Sequence, residues 1–340
     1  MPQQTEPMTN NSAPLVSENT ELSNVQPTRR KPVLGVSECL LGKEVRYNGG
    51  HKLSRYLTTV LAEYFEFRPI CPEVQIGMSV PRAPIRLAEI KGQVRVIATD
   101  NPALDYSDSL RNLAQQVSPS MGDLSGFIFM QKSPSCGLKS TKVYGEKGQP
   151  LYMGDGAFSA ELMQHLPLMP VTEIGRVNDS PIRENFIASV YAYFDWQTNV
   201  SASLSAKALT DFHHRHKLML TAHNDKSAKH LGQLLSQLKG QNIEHIAQHY
   251  ITEFMSAMKQ PVSRKRHASI LLRLQGFLKR KLDKAEKQEL SGLIEHYKKG
   301  LIPLVVPMTL VRFFMKKYQQ HEALTMLDKY PMELGLQNSI

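Results

Sequence analysis

Two patterns of apolar and polar positions divide the chain. From residue 31 to about 197, short apolar runs alternate with amphipathic stretches. Residues 32–37 (PVLGVS), 65–70 (FEFRPI), 94–98, 125–130 and 169–173 read as strands. Residues 53–63, 106–117, 157–165 and 181–194 carry helical periodicity, the last with Pro181 in its first turn. Strands alternating with helices predict βαβ units, so residues 31–200 are expected to form an α/β domain with a mainly parallel sheet. A Ser/Ala-rich stretch at 198–205 ends the strand signals. Beyond it the period is helical nearly throughout, over 207–224, 228–238, 242–258, 263–281, 284–299 and 307–321. Residues 206–340 are expected to form an all-α domain.

The first 30 residues do not fit either pattern. They are rich in Gln, Asn, Ser, Thr, Glu and Pro and bury too little apolar surface to offset their ordering entropy, so a disordered tail is expected over 1–30. No apolar run reaches the roughly 20 residues that cross a bilayer, and no signal-peptide core is visible. A cytoplasmic protein without membrane contact or an obligate protein partner is expected. Charge changes the picture of the second domain. Residues 201–340 hold 16 Lys and 6 Arg against 11 acidic residues, an excess of 11 in a chain whose net charge is +10. Such an excess either solvates a helical surface or attracts a polyanion such as RNA.

Three cysteines in a chain of this size and expected compartment are not a disulfide framework. Each follows an expected strand: Cys39 after PVLGVSE, Cys71 after FEFRPI, Cys136 after GFIFMQKSPS. In an open parallel sheet the loops at the carboxyl ends of the strands share one edge, where ligands bind. Cys71-Pro72-Glu73 sets a rigid residue and a carboxylate beside a thiol. Ser133-Pro134-Ser135-Cys136-Gly137 is a turn with two hydroxyls, and Arg46, Asn48, Gly49, Gly50 and the Pro81-Arg82-Ala83-Pro84 segment lie nearby in sequence. Three unrelated buried thiols are one reading. A zinc site is another, although no C-x-x-C pair is present. A [4Fe–4S] cluster with one iron free of protein ligands is the third, and best matches three thiolates without an evident fourth.

The segments VSECLLGKEVRYNGGHK, CPEVQIGMSVPRAPIRL, GFIFMQKSPSCG, GRVND and RENF resemble the TudS family of thiouracil desulfidases. HHRHKLMLTAH, RHASILLRLQGFLKRKL and GLIPLVVPMTLVRFF resemble the YbgA-type helical domain, and the two-domain combination resembles the RudS desulfidases of 4-thiouridine in tRNA. The resemblance covers nearly everything after the tail. It implies that Cys39, Cys71 and Cys136 ligate a [4Fe–4S] cluster, that Glu73 is the acidic catalytic residue, and that the catalytic serine is Ser133 or Ser135. Glu38 departs from the small residue expected before the first cysteine.

The chemistry so implied is hydrolysis of a C–S bond without net redox change. Glu73 serves as general base and later proton donor, and a serine orients substrate or relays a proton. Arg46 and Arg82 are candidate contacts for nucleotide phosphate, an ion pair being the alternative for either. Arg264, Lys265, Arg266, Lys279, Arg280 and Lys281 are candidate RNA contacts, with thiolated tRNA as the expected partner. Free thiouracil or another small thiolated compound is the alternative substrate, and a non-catalytic RNA-binding or zinc-stabilised module the second alternative. The group His213, His214, His216 and His223 could in principle hold a metal, but helical histidines more often pack or cap.

Overall fold

The computed structural model describes residues 30–327 and 330–338; of the tail expected over 1–30, only Arg30 falls among them. Among the described residues, eight strands form two four-stranded sheets. The first contains β1 (Val33–Ser37), β2 (Glu66–Ile70), β5 (Gly126–Phe129) and β8 (Val171–Glu173), in the order β2-β1-β5-β8 and parallel throughout. The second contains β3 (Ile85–Ile90), β4 (Gln93–Ala98), β6 (Thr141–Tyr144) and β7 (Pro150–Gly154). Here β3/β4 and β6/β7 are antiparallel pairs, and β3 and β6 join them in parallel. The expected α/β class therefore holds, with a mixed second sheet added. Of that sheet only β4 was legible in the sequence.

Side chains on successive residues of the first sheet point to opposite faces. On one face Phe127 and Phe129 stack at 3.9 Å and pack with Leu110 and Ala114 of α2 (Ser107–Val117), and with Phe158 and Leu162 of α3 (Ala157–His165). On the other, Leu34, Val36 and Ile128 meet Phe186, Ile187 and Val190 of α4 (Ser180–Asn199). Within residues 53–63, expected as a helix, the chain is helical over a π-helix (Tyr56–Val60) and a following 3-10 turn (Leu61–Glu63) that bury Leu57 and Leu61 against this face. A four-residue helix, α1 (Pro72–Gln75), follows β2.

Six helices follow α4, as the periodicity predicts, and a short seventh ends the series. They are α5 (Ala206–His223), α6 (Asp225–Ser236), α7 (Ile243–Ala257), α8 (Arg264–Phe277), α9 (Lys284–Lys298), α10 (Val305–Lys317) and α11 (His321–Thr325). α4 belongs to both halves. Ala188, Ala192 and Trp196 join a core with Leu209, Phe212, Tyr250 and Phe254 of α5 and α7. Asp195 accepts two hydrogen bonds from Arg215, each 3.0 Å, and lies 2.6 Å from His216 Nε2. The chain then returns: Leu334 and Leu336 enter the core beneath the first sheet, and Tyr330 donates to Glu184 at 2.6 Å. Residues 31–340 accordingly form one compact unit. Among the described residues, no helix is long and apolar enough to cross a membrane.

Candidate active site

The strand order places β1 between β2 and β5, so the loops carrying the three cysteines are neighbours at one sheet edge. Cys39 sits in the 3-10 turn after β1, Cys71 caps α1 after β2, and Cys136 lies in the loop after β5. All three line one cavity of about 770 Å³. Cys39 and Cys136 are buried and Cys71 half-buried. Burial pushes Cys39 up to about 11, with the Cys71 thiol adding to the rise and Arg46 opposing it. Burial likewise raises Cys71, and lifts Cys136 well above the usual thiol range. Such thiols are poor free nucleophiles; they ionise only where positive charge meets them.

The three sulfurs are not gathered as a single ion requires. Among the described residues, the one trio of His, Cys, Asp or Glu ligand atoms lying within 4.8 Å of one another is elsewhere. Thiolates on one tetrahedral zinc lie about 3.8 Å apart. A cluster that binds each thiolate through a different iron holds them farther apart, and this donor set fits it.

Glu73 stands in the first turn of α1, where Pro72 presets the backbone and a carboxylate is favoured by the helix N-terminus. Its two oxygens have separate partners. Oε2 accepts from Arg82 Nε at 2.9 Å and Nη2 at 2.6 Å, and Oε1 accepts from Ser135 Oγ at 2.8 Å. Ser135 is fully buried. Ser133 does something else: its Oγ accepts the backbone N–H of Ser135 (3.3 Å) and of Cys136 (3.1 Å), closing the turn that presents the thiol. Arg82 is 5% exposed and also donates to Val45 O (2.9 Å) and Ser79 O (3.2 Å), so four hydrogen bonds hold its guanidinium. Arg46 lines the cavity with its guanidinium carbon 5.5 Å from the Tyr47 ring centroid. The basic residues 264–266 and 279–281 are exposed, at the two ends of α8, and do not line the cavity.

Several residues of the site were not legible in the sequence. Glu173, at the carboxyl end of β8, is buried and accepts from Leu138 N (2.7 Å) and from the Ser140 hydroxyl, bracing the Cys136 loop. A carboxylate ending a buried strand was the available signal. Gly156 packs against the same loop: a Cβ there would lie 2.4 Å from Ser135 C and 2.6 Å from Cys136 N. The second sheet supplies the far wall. Arg86 and Lys142 immediately precede the paired Leu87 and Val143, so they stand side by side on neighbouring strands and both line the cavity. Arg86 lies over the Tyr144 ring at 5.8 Å, and its Nε is buried with no hydrogen-bond partner among the described residues. Adjacent like charges repel, and neither cation is among the groups acting most strongly on the three thiols.

Residues 34–173, which contain this constellation, match the 2-thiouracil desulfurase family. Residues 217–331 match DUF1722, a family described as of unknown function. The chain thus carries a segment similar to 2-thiouracil desulfurases followed by one similar to DUF1722 proteins. It is 25% identical over 136 residues to the uncharacterized protein YbgA of Escherichia coli (strain K12), spanning 40% of this chain and 80% of YbgA. A solved structure of the [4Fe-4S]-dependent thiouracil desulfidase TudS is 28% identical, covering 44% of this chain and 95% of TudS, with a TM-score of 0.34.

Proposed function

We propose that this protein is a [4Fe–4S]-dependent desulfidase that replaces the sulfur of 4-thiouridine in tRNA by oxygen, without net redox change. The observation that carries the reading is the meeting of three thiols with Glu73 in one cavity, Ser135 holding that carboxylate from behind the cavity lining, within the span that matches the desulfurase family. Cys39, Cys71 and Cys136 would hold the cluster. When bound, it supplies a soft Lewis-acidic iron, left open by three thiolates, that suits a thiocarbonyl sulfur.

The protein's own groups carry the proton chemistry. Glu73 takes a proton from the water that attacks the thiocarbonyl carbon and returns it to the sulfur as the C–S bond breaks; the sulfur leaves as hydrosulfide, and the added hydroxyl loses its own proton as the carbonyl forms. Ser135, fully buried and donating to Oε1, fixes the carboxylate plane. Arg82 positions Glu73 rather than touching substrate, because four of its five N–H donors are already engaged. Arg46 remains the cation nearest Cys39 in effect. Arg86 and Lys142 favour an anionic, nucleotide-sized substrate over a bare base: their mutual repulsion is relieved by a phosphate.

The helical domain extends that attraction to a nucleic-acid backbone. Arg264, Lys265 and Arg266 stand at the N-terminal turn of α8, where the helix dipole disfavours cations but favours phosphate. Lys279, Arg280 and Lys281 lie about 20 Å away at its other end. Replacing these six residues by Gln tests the assignment. Turnover of thiolated tRNA should lose affinity and flatten in its salt dependence, while turnover of a free thiobase stays unchanged. Equal loss on both substrates, or no change on either, contradicts the role of this surface.

A further inference from the structure

The histidines that cluster in the sequence are each engaged: His213 with Tyr250 Oη at 3.0 Å, His216 with Asp195, His223 with Gln260 O at 2.9 Å, and His214 with Glu322 at 3.4 Å. A different trio converges. His230 on α6 and His249 with Glu253 on α7 bring their ligand atoms within 4.8 Å of one another. His249 and Glu253 are one helical turn apart and share a face. Glu253 Oε2 lies 2.7 Å from His230 Nδ1 and 3.5 Å from His249 Nε2, and the two rings meet edge to face at 5.8 Å.

We propose that His230, His249 and Glu253 bind a divalent transition-metal ion of the Zn²⁺ class, which staples α6 to α7. Two imidazoles and one carboxylate are a donor set that zinc accepts with water in the fourth position. Ligand atoms on a tetrahedral zinc stand about 3.3 Å apart, so small rotamer changes admit the ion. The side chains are half-exposed, which gives the ion an entry path. The neighbouring Lys229 is paired with Asp225 at 2.7 Å, which lowers the local positive charge. The donors contain no sulfur, which separates this site from the cysteine cavity.

Full-length, cluster-loaded protein titrated with Zn²⁺ against a chromophoric chelator tests the site. One equivalent should bind, and His230→Gln or His249→Gln should weaken that affinity by at least about tenfold, since loss of an inner ligand exceeds loss of an outer-shell partner. Zinc-edge X-ray absorption should show nitrogen and oxygen neighbours only, and Zn²⁺ should raise the melting temperature of the wild type but not of the double variant. A double variant that binds Zn²⁺ as tightly as the wild type, or a sulfur neighbour on the bound zinc, overturns the proposal; so does a wild type that binds none.

Discussion

The Ser135 hydroxyl lies 2.8 Å from Glu73 Oε1, on the side of the carboxylate opposite Arg82. This contact separates two serines that sequence left equivalent. Ser135→Ala should keep its iron and lose about 10²-fold in turnover, because the general base Glu73 is no longer held in place. Ser133→Ala should instead lose iron, because its hydroxyl closes the turn bearing Cys136. Iron analysis and turnover on the same samples distinguish the two outcomes.

Arg82 and Glu73 form a nearly dry pair, 5% and 13% exposed. Removing one member strands the other, and Arg82→Gln should destabilise the fold by about 3–5 kcal/mol. Arg82→Lys keeps the charge and loses the two-pronged contact with Oε2. It should recover most of the stability in denaturant titrations but little of the turnover, since Glu73 would be misaimed.

Gly156 has an ordinary backbone conformation; the constraint is space. Gly156→Ala would drive a methyl into Ser135 and Cys136 backbone atoms, which cannot swing aside as a side chain can. Reduced iron content and turnover, with the helical domain's circular dichroism intact, is the expected result.

The junction of the α/β and helical halves should respond to acid. Asp195 is mostly buried, which alone would raise its carboxyl, but hydrogen bonds from His216 and Arg215 hold it at about 2. A lowered carboxylate stabilises the fold above the ordinary aspartate value of 3.8, and that contribution is lost as pH falls from there through about 2. It amounts to about 2 kcal/mol. Unfolding free energies of the wild type minus Asp195→Asn, measured from pH 5 to pH 2, should shrink across that window.

How far the sequence reached depended on how local each feature is. The cysteine loops were legible because each follows a short strand-like run, and parallel pairing puts such loops at one edge. The all-α half was legible because six helices keep the 3.6 period, several with side-chain caps at their first residue. The second sheet was not: β6 is four residues, β7 begins with Pro150, and the β3–β6 pairing that sets Arg86 beside Lys142 is long-range. Residues 53–63 keep a helical apolar spacing and wind helically, as a π-helix and a 3-10 turn rather than an α-helix, with Leu57 and Leu61 buried against the first sheet. Arg82 was visible as a cation, but only the fold shows that its charge is spent on Glu73.

The most direct measurement is nucleoside analysis of thiolated tRNA after incubation with the anaerobically reconstituted protein, run beside Glu73→Gln at matched iron content. The account predicts that 4-thiouridine becomes uridine with the wild type, and that the iron-replete variant is slower by about 10²–10⁴-fold. Undiminished conversion by Glu73→Gln, or an iron-replete wild type that leaves 4-thiouridine intact, would contradict it.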